Sequence, residues 1–173
     1  MIMRINEIFS SINGECNSFH QGSLCTFVRT QGCSERCFFC DTKYAQDPNQ
    51  GTEMLVSKVF EEIEAIGNRN VTITGGEPLL QLEKVNELCA FLRNNRYNIS
   101  IETNGFIQVP TYLQNKASIV MDYKLASAGL DKRPNWDFFR VLKNSDFIKF
   151  VCSHWFDFQE AVSFPGAQTF QFR

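Results

Sequence analysis

No stretch of this sequence approaches the roughly 18 consecutive apolar residues that a membrane-spanning helix needs. The opening MIMRINEIF also lacks the apolar centre of a secretory signal, so the chain is expected in the cytoplasm. Neither sign of charge is in excess. Lys and Arg number 17 against 19 Asp and Glu, a net charge of −2, and the basic residues are spread along the chain rather than clustered. That distribution argues against a nucleic-acid partner held by phosphate neutralisation and in favour of a small ligand. Internal repeats, low-complexity tracts and linkers are absent too. With 43% apolar residues, residues 1–173 suffice for one substantial core and are expected to form a single domain.

What the chain does contain is a regular alternation. Six short runs rich in β-branched and aromatic residues read as strands, at 24–30, 71–74, 99–102, 118–122, 147–152 and 169–172. Two intervening segments have helical periodicity. Val56, Val59, Phe60, Ile63 and Ile66 share one face of the first, and Leu82, Val85, Leu88, Cys89 and Leu92 one face of the second. Pro110 restricts any helix between 103 and 117 to a short piece. Alternating strands and helices predict parallel pairing through right-handed crossovers, hence an α/β fold, either an open doubly wound sheet or a curved barrel of fewer than eight strands. In both, loops at the carboxyl ends of the strands converge on the ligand. Here those loops are CSERCFFC (33–40), GGEPLL (75–80), TNG (103–105), YKLAS (123–127) and SHWF (153–156).

The seven cysteines are of two kinds. Cys25, Cys89 and Cys152 sit singly in apolar or amphipathic runs and read as small core residues, while Cys16, in NGECNS, has no obvious assignment. Cys33, Cys37 and Cys40 are clustered, and in a reducing compartment a cluster points to metal or redox chemistry rather than disulfides. Thiolates suit zinc or iron–sulfur clusters. A structural zinc site would need a fourth ligand such as Cys16, His20 or Cys25, and a second pair with finger spacing is missing. Alternatively, three cysteines hold a cubane and leave one iron open.

CxxxCxxC after a strand, with Phe39 before the third cysteine and GGEP after the next strand, resembles the radical S-adenosylmethionine superfamily. The resemblance implies that the open iron is chelated by S-adenosylmethionine, whose cleavage by the reduced [4Fe-4S] cluster gives a 5′-deoxyadenosyl radical. Further motifs, EIFSSINGE (7–15), FVRTQGC (27–33), CDTKYA (40–45), TGGEPLLQ (74–81) and ETNG (102–105), are similar to the 7-carboxy-7-deazaguanine synthase family of the queuosine pathway, in order from residue 7 to about 152. That family implies rearrangement of 6-carboxy-5,6,7,8-tetrahydropterin with loss of ammonia, magnesium as a second cofactor, a shortened, partial (β/α)6 barrel, a homodimer, and an electron donor such as flavodoxin or ferredoxin.

Carried over residue by residue, the resemblance places Phe39, Asp41, Gly76, Glu77, Asn104, Lys124 and Ser127 near S-adenosylmethionine. It places Ile12, Asn13, Gly14, Glu15, Arg29 and Thr74 on the pterin, Thr42 on magnesium and Glu102 in proton handling or in support of the magnesium site. Two departures stand out. Asn13-Gly14-Glu15-Cys16 replaces Gln-Gly-Glu-Gly, and the usual Ser-Pro-Lys is absent around Lys124 and Ser127. His20 and His154 read as packing or surface residues. A glycyl-radical-enzyme activase and a non-enzymatic zinc-binding interaction module are the competing classes, the first separable by product analysis and the second by the absence of a brown colour.

Overall fold

The chain begins with a strand that its own pattern conceals. In the computed structural model, which describes residues 1–164, β1 spans Ile2–Ile12, yet only Met3 and Ile5 are buried and the segment beyond them is half-buried or exposed. Apolar alternation therefore stops after two residues, which is why periodicity alone passes the strand over. β1 runs antiparallel to β2 (Leu24–Thr30), with Ile12 opposite Leu24, and antiparallel to the four-residue β3 (Thr52–Leu55).

From β2 onward every pairing is parallel, through β4 (Asn70–Gly75), β5 (Asn98–Thr103), β6 (Ser118–Tyr123) and β7 (Phe147–Phe150). The seven strands lie in the order β3-β1-β2-β4-β5-β6-β7. These are five of the six strands expected, with two antiparallel ones added; the sixth, at 169–172, lies outside the described residues. Among the described residues the result is a mixed but mostly parallel α/β sheet, in keeping with a partial barrel.

Both expected helices form. α1 (Val56–Ile66) buries Val56, Val59 and Ile63, and α2 (Leu82–Asn94) buries Val85, Leu88, Cys89 and Leu92, all fully, against Met3, Ile5, Val28, Ile73 and Ile101 of the sheet. Removing one such side chain, as in Leu88→Ala, costs about 2–5 kcal/mol. Gly67 ends α1 at φ 84°, a left-handed cap that donates its N–H to Ile63 O. After β5 only the single turn α3 (Thr111–Gln114) forms, starting at Pro110 as anticipated.

Between β6 and β7 the crossover has no full helix. Two 3-10 turns, Ala126–Ala128 and Trp136–Phe138, replace it, and an aromatic cluster fills the space. Tyr123 meets Phe139 at 5.3 Å and Phe164 at 4.4 Å between ring centroids, and Trp136 stacks on Phe139 at 5.5 Å. α4 (Trp155–Ser163) follows β7.

The amino-terminal mouth of the parallel strands is plugged by the loop 13–23. Asn13, Asn17 and His20 are buried there beside Thr72, Ser100 and Ser118. Thr72 Oγ1 accepts from Asn13 Nδ2 at 2.7 Å, pairs with Ser100 Oγ at 2.9 Å and meets His20 Nε2 at 3.3 Å. His20 is thus a packing residue, kept neutral as burial lowers its pKa.

Candidate active site

Above this plug, toward the carboxyl ends of the strands, lies a partly open cavity of about 440 Å³, a size typical of small-molecule sites. Strand alternation decides which side chains reach it. Val28, Ile73, Ile101 and Met121 point to the helices, so Arg29, Thr74, Glu102, Asp122 and Lys149 point the other way. Register then sets them side by side: Arg29 is paired with Thr74, and Asp122 with Lys149.

One end of the cavity is lined by Cys33, Cys37, Phe39, Cys40, Asp41 and Thr42 from the loop after β2. That loop is stitched to its surroundings by backbone: Gly32 N–H donates to Ala45 O at 2.8 Å, Cys33 N–H to Gln46 O at 3.1 Å, and Phe38 N–H to Ala128 O at 2.9 Å. The GGEP turn packs directly against it. A side-chain carbon on Gly76 would collide with the carbonyls of Gly32 and Ala45, and Glu77 N–H donates to Gly32 O at 2.8 Å, so Gly76 is required by this close approach.

Burial pushes the Cys33 and Cys37 thiols up, so ligation there must displace protons. The donor set fits a cubane better than a closed zinc site. Of the candidate fourth ligands, Cys25 and His20 are buried together on Thr72 in the plug, and Cys16 is exposed and outside the cavity lining. Nor do three His, Cys, Asp or Glu side chains among the described residues gather round one ion. Three thiolates that would each bind a different iron of a cubane have no need to.

The rest of the wall is polar. Arg29 donates through Nε to Glu7 Oε1 at 2.7 Å, and its guanidinium lies near the rings of Phe9 and Tyr44, which fix its plane. Thr74 Oγ1 donates to Glu102 Oε2 at 3.0 Å, while Glu102 Oε1 is buried with no hydrogen-bond partner among the described residues. Burial raises the Glu102 pKa, opposed by Lys149 and by the Thr74 hydroxyl. Lys124 Nζ sits 2.6 Å from Asp122 Oδ2 and 5.8 Å from the Phe39 ring centroid. Thr42 Oγ1 is 3.7 Å from Cys40 Sγ, a hard oxygen beside a soft sulfur.

Several anticipated residues stand elsewhere. Glu77 is fully buried and outside the cavity lining, its carboxylate accepting from Leu79 N–H at 2.9 Å, Thr103 Oγ1 at 2.8 Å and Asn104 N–H at 2.7 Å. It joins the GGEP turn to the TNG loop, whose Asn104 lines the cavity and directs Nδ2 toward Cys33 Sγ. Ile12, Asn13 and Gly14 lie at the plugged end; only Glu15 reaches into the cavity from that loop. Asn13 holds it there, accepting the Glu15 N–H on Oδ1 at 2.9 Å. Ser127 is outside the wall, its N–H on Asp157 Oδ1. SHWF starts α4, with Ser153 and His154 N–H groups on Asp157.

Asp122 and Lys149 line the cavity without having been anticipated. A signal existed for the second: Lys149 is a lone cation in the otherwise apolar run FIKFVC.

Comparison with known proteins completes the picture. Residues 27–122 match the model of the radical SAM superfamily. The 7-carboxy-7-deazaguanine synthase of Clostridium acetobutylicum is 36% identical over 165 residues, covering 94% of this chain and 74% of that protein. The chain belongs to the 7-carboxy-7-deazaguanine synthase family. Another member, from Thermoplasma acidophilum, is 34% identical over 94% of this chain and 76% of its own length, and the one from Hyperthermus butylicus is 40% identical over 63% of this chain and 46% of its own. The crystal structure of QueE from Escherichia coli superposes with a TM-score of 0.73 at 23% identity, covering 92% of this chain and 75% of that one, and so shares its fold. Membership of this family brings a [4Fe-4S] cluster and S-adenosylmethionine, and a need for a reductant. No helix among the described residues is long and apolar enough to cross a membrane.

Proposed function

We propose that this chain converts 6-carboxy-5,6,7,8-tetrahydropterin to 7-carboxy-7-deazaguanine with loss of ammonia, in queuosine biosynthesis. The observation that carries the reading is the division of one cavity. Three thiols with no fourth protein ligand among the described residues occupy one end, and Arg29, Thr74 and Glu102 stand side by side on neighbouring strands at the other. When bound, the cluster and S-adenosylmethionine supply a carbon-centred radical able to take hydrogen from the pterin.

The protein's own part is binding, orientation and proton handling. With Nε held by Glu7, Arg29 turns its remaining guanidinium N–H donors to the substrate carboxylate, a fork that suits two carboxylate oxygens. Glu102 offers its unpartnered oxygen to a substrate N–H, and its burial, which raises its pKa, suits a group that exchanges a proton with the substrate. Phe39 gives the adenine a packing surface beside Lys124, and Asp41 and Asn104 flank the cofactor. Thr42 is the proposed magnesium ligand, its hydroxyl directed past Cys40 to a cation completed by substrate oxygens and water. Asn13 and Glu77 act through Glu15 and Asn104 respectively, as positioning residues.

Residues 1–173 form one domain in this reading, work as a homodimer in the cytoplasm and take electrons from a flavodoxin or ferredoxin. The test is to incubate anaerobically reconstituted protein with S-adenosylmethionine, reductant, magnesium and the carboxytetrahydropterin. A product of the mass of 7-carboxy-7-deazaguanine, with ammonia released, supports the reading; cofactor cleavage without that product overturns it.

A further inference from the structure

Lys149, on β7, touches two other elements at once. Its ammonium lies 3.1 Å from Glu15 Oε1 on the β1–β2 loop and 3.3 Å from Asp122 Oδ1 on β6, and Asp122 Oδ2 in turn holds Lys124. Glu102 on β5 is within electrostatic reach, and Cys25 lies beneath Glu102 in the plug. Glu15 and Lys149 are 134 residues apart, on opposite sides of a sheet in which β7 and β1 do not pair. Their contact ties β7 to the β1–β2 loop at the level of the cavity, with Ser18 Oγ to Ser145 O a second tie below it.

A solvated surface lysine would show none of this. Three carboxylates, Glu15, Glu102 and Asp122, share one wall, and like charges in a shielded cavity drive protons onto one another. Burial alone would lower Lys149, but Asp122, Glu15 and Glu102 more than offset it and hold the ammonium charged.

We infer that Lys149 is a positioning residue, holding Glu15 against the cavity so that Glu15 and Glu102 present acceptor oxygens to a ligand rich in N–H donors. The ligand rests on the pterin reading, since the amino-pyrimidinone edge of a pterin presents such donors. Asn13 fixes Glu15 from the backbone side and Lys149 from the carboxylate side, so the altered Asn13-Gly14-Glu15-Cys16 loop and the strand lysine operate together.

Two variants separate this role from simple bracing, because they push Glu102 in opposite directions. Lys149→Met removes a cation and should move the Glu102 titration midpoint up by a pH unit or more; Glu15→Gln removes an anion and should move it down. Infrared titration of reconstituted, 13C-glutamate-labelled protein, with Glu102→Gln as the assignment control, reads both. Pterin affinity by equilibrium dialysis without reductant should fall at least tenfold in both variants, S-adenosylmethionine affinity less than twofold, and Lys149→Arg should restore most of the loss. An unmoved Glu102 midpoint, shifts of the same sign in both variants, or equal losses of pterin and S-adenosylmethionine would overturn the inference. If wild type itself fails to bind the pterin, the substrate reading falls, while the infrared titrations still decide the role of Lys149.

Discussion

The two ends of the parallel strands are both polar inside, and they use that polarity in opposite ways. At the plugged end Asn13, Asn17, Thr72, Ser100 and Ser118 bond chiefly to one another or to backbone, with Thr72 Oγ1 shared among four side chains, and among the described residues His20 Nδ1 is left without a partner there. At the open end, among the described residues, Glu102 keeps a buried oxygen without a partner, Arg29 commits only Nε to a hydrogen bond, and three thiols face a common space. Satisfied buried polar groups specify a structure, whereas unsatisfied ones are held in place at a cost and ready for a ligand. The same residue types therefore mean scaffold at one end and chemistry at the other.

The sharpest way to break the comparison is through cysteine. Replacing Cys33, Cys37 or Cys40 with Ala should abolish cluster assembly and S-adenosylmethionine cleavage, while Cys25→Ala and Cys89→Ala, away from the open end, should leave both, as followed by iron content and 5′-deoxyadenosine release. Cleavage surviving in a triad variant would refute the assignment.

This division was only partly legible in the sequence. The cysteine spacing, GGEP and ETNG are local patterns, and α1 and α2 announce themselves by their apolar faces, so the open end and the convex core could be read directly. β1 could not, because its solvated antiparallel half breaks alternation, and β3 is only four residues long. Nor could the Glu15–Lys149 tie, which depends on a contact between residues 134 apart. Glu77 was assigned to the cofactor from its motif; its full burial follows from the packing of the GGEP turn on the cluster loop, which no local pattern encodes.

Glu77 sits between the two regimes, buried like the plug yet part of the rim. Burial raises its pKa from 4.5 to about 7, against three hydrogen bonds that favour its charge. Between those values the unfolded chain ionises while the folded one keeps its proton, so stability should fall as pH rises from about 4.5 to 7 and then level off, by on the order of 2–4 kcal/mol. Denaturant unfolding of Glu77→Gln across that window should show a flattened dependence. A slope equal to wild type would mean that Glu77 is ionised throughout.

Arg29→Lys keeps the charge but loses the fork. Pterin affinity should weaken by about 1–3 kcal/mol with S-adenosylmethionine binding nearly unchanged; equal losses of both in binding titrations would make Arg29 a support of the cluster loop. At the opposite end, Thr72→Val strands the Asn13 amide and should cost about 1–2 kcal/mol of folding stability in thermal or denaturant unfolding, with no change in cofactor cleavage. Lost cleavage in a folded Thr72→Val protein would erase the distinction between the two ends. Thr42→Val should produce the smallest effect, removing magnesium stimulation of turnover while the cluster spectrum and S-adenosylmethionine affinity persist. An undiminished response to magnesium would place the ligand elsewhere.

The central claim is that three thiolates at the open end hold a cubane and leave one of its irons to the cofactor. Mössbauer spectroscopy of 57Fe-reconstituted protein, with and without S-adenosylmethionine, tests it directly. Four irons per chain, with one of the four changing its signal when the cofactor is added, is the predicted result. A single tightly bound zinc, or four irons that ignore the cofactor, would contradict it.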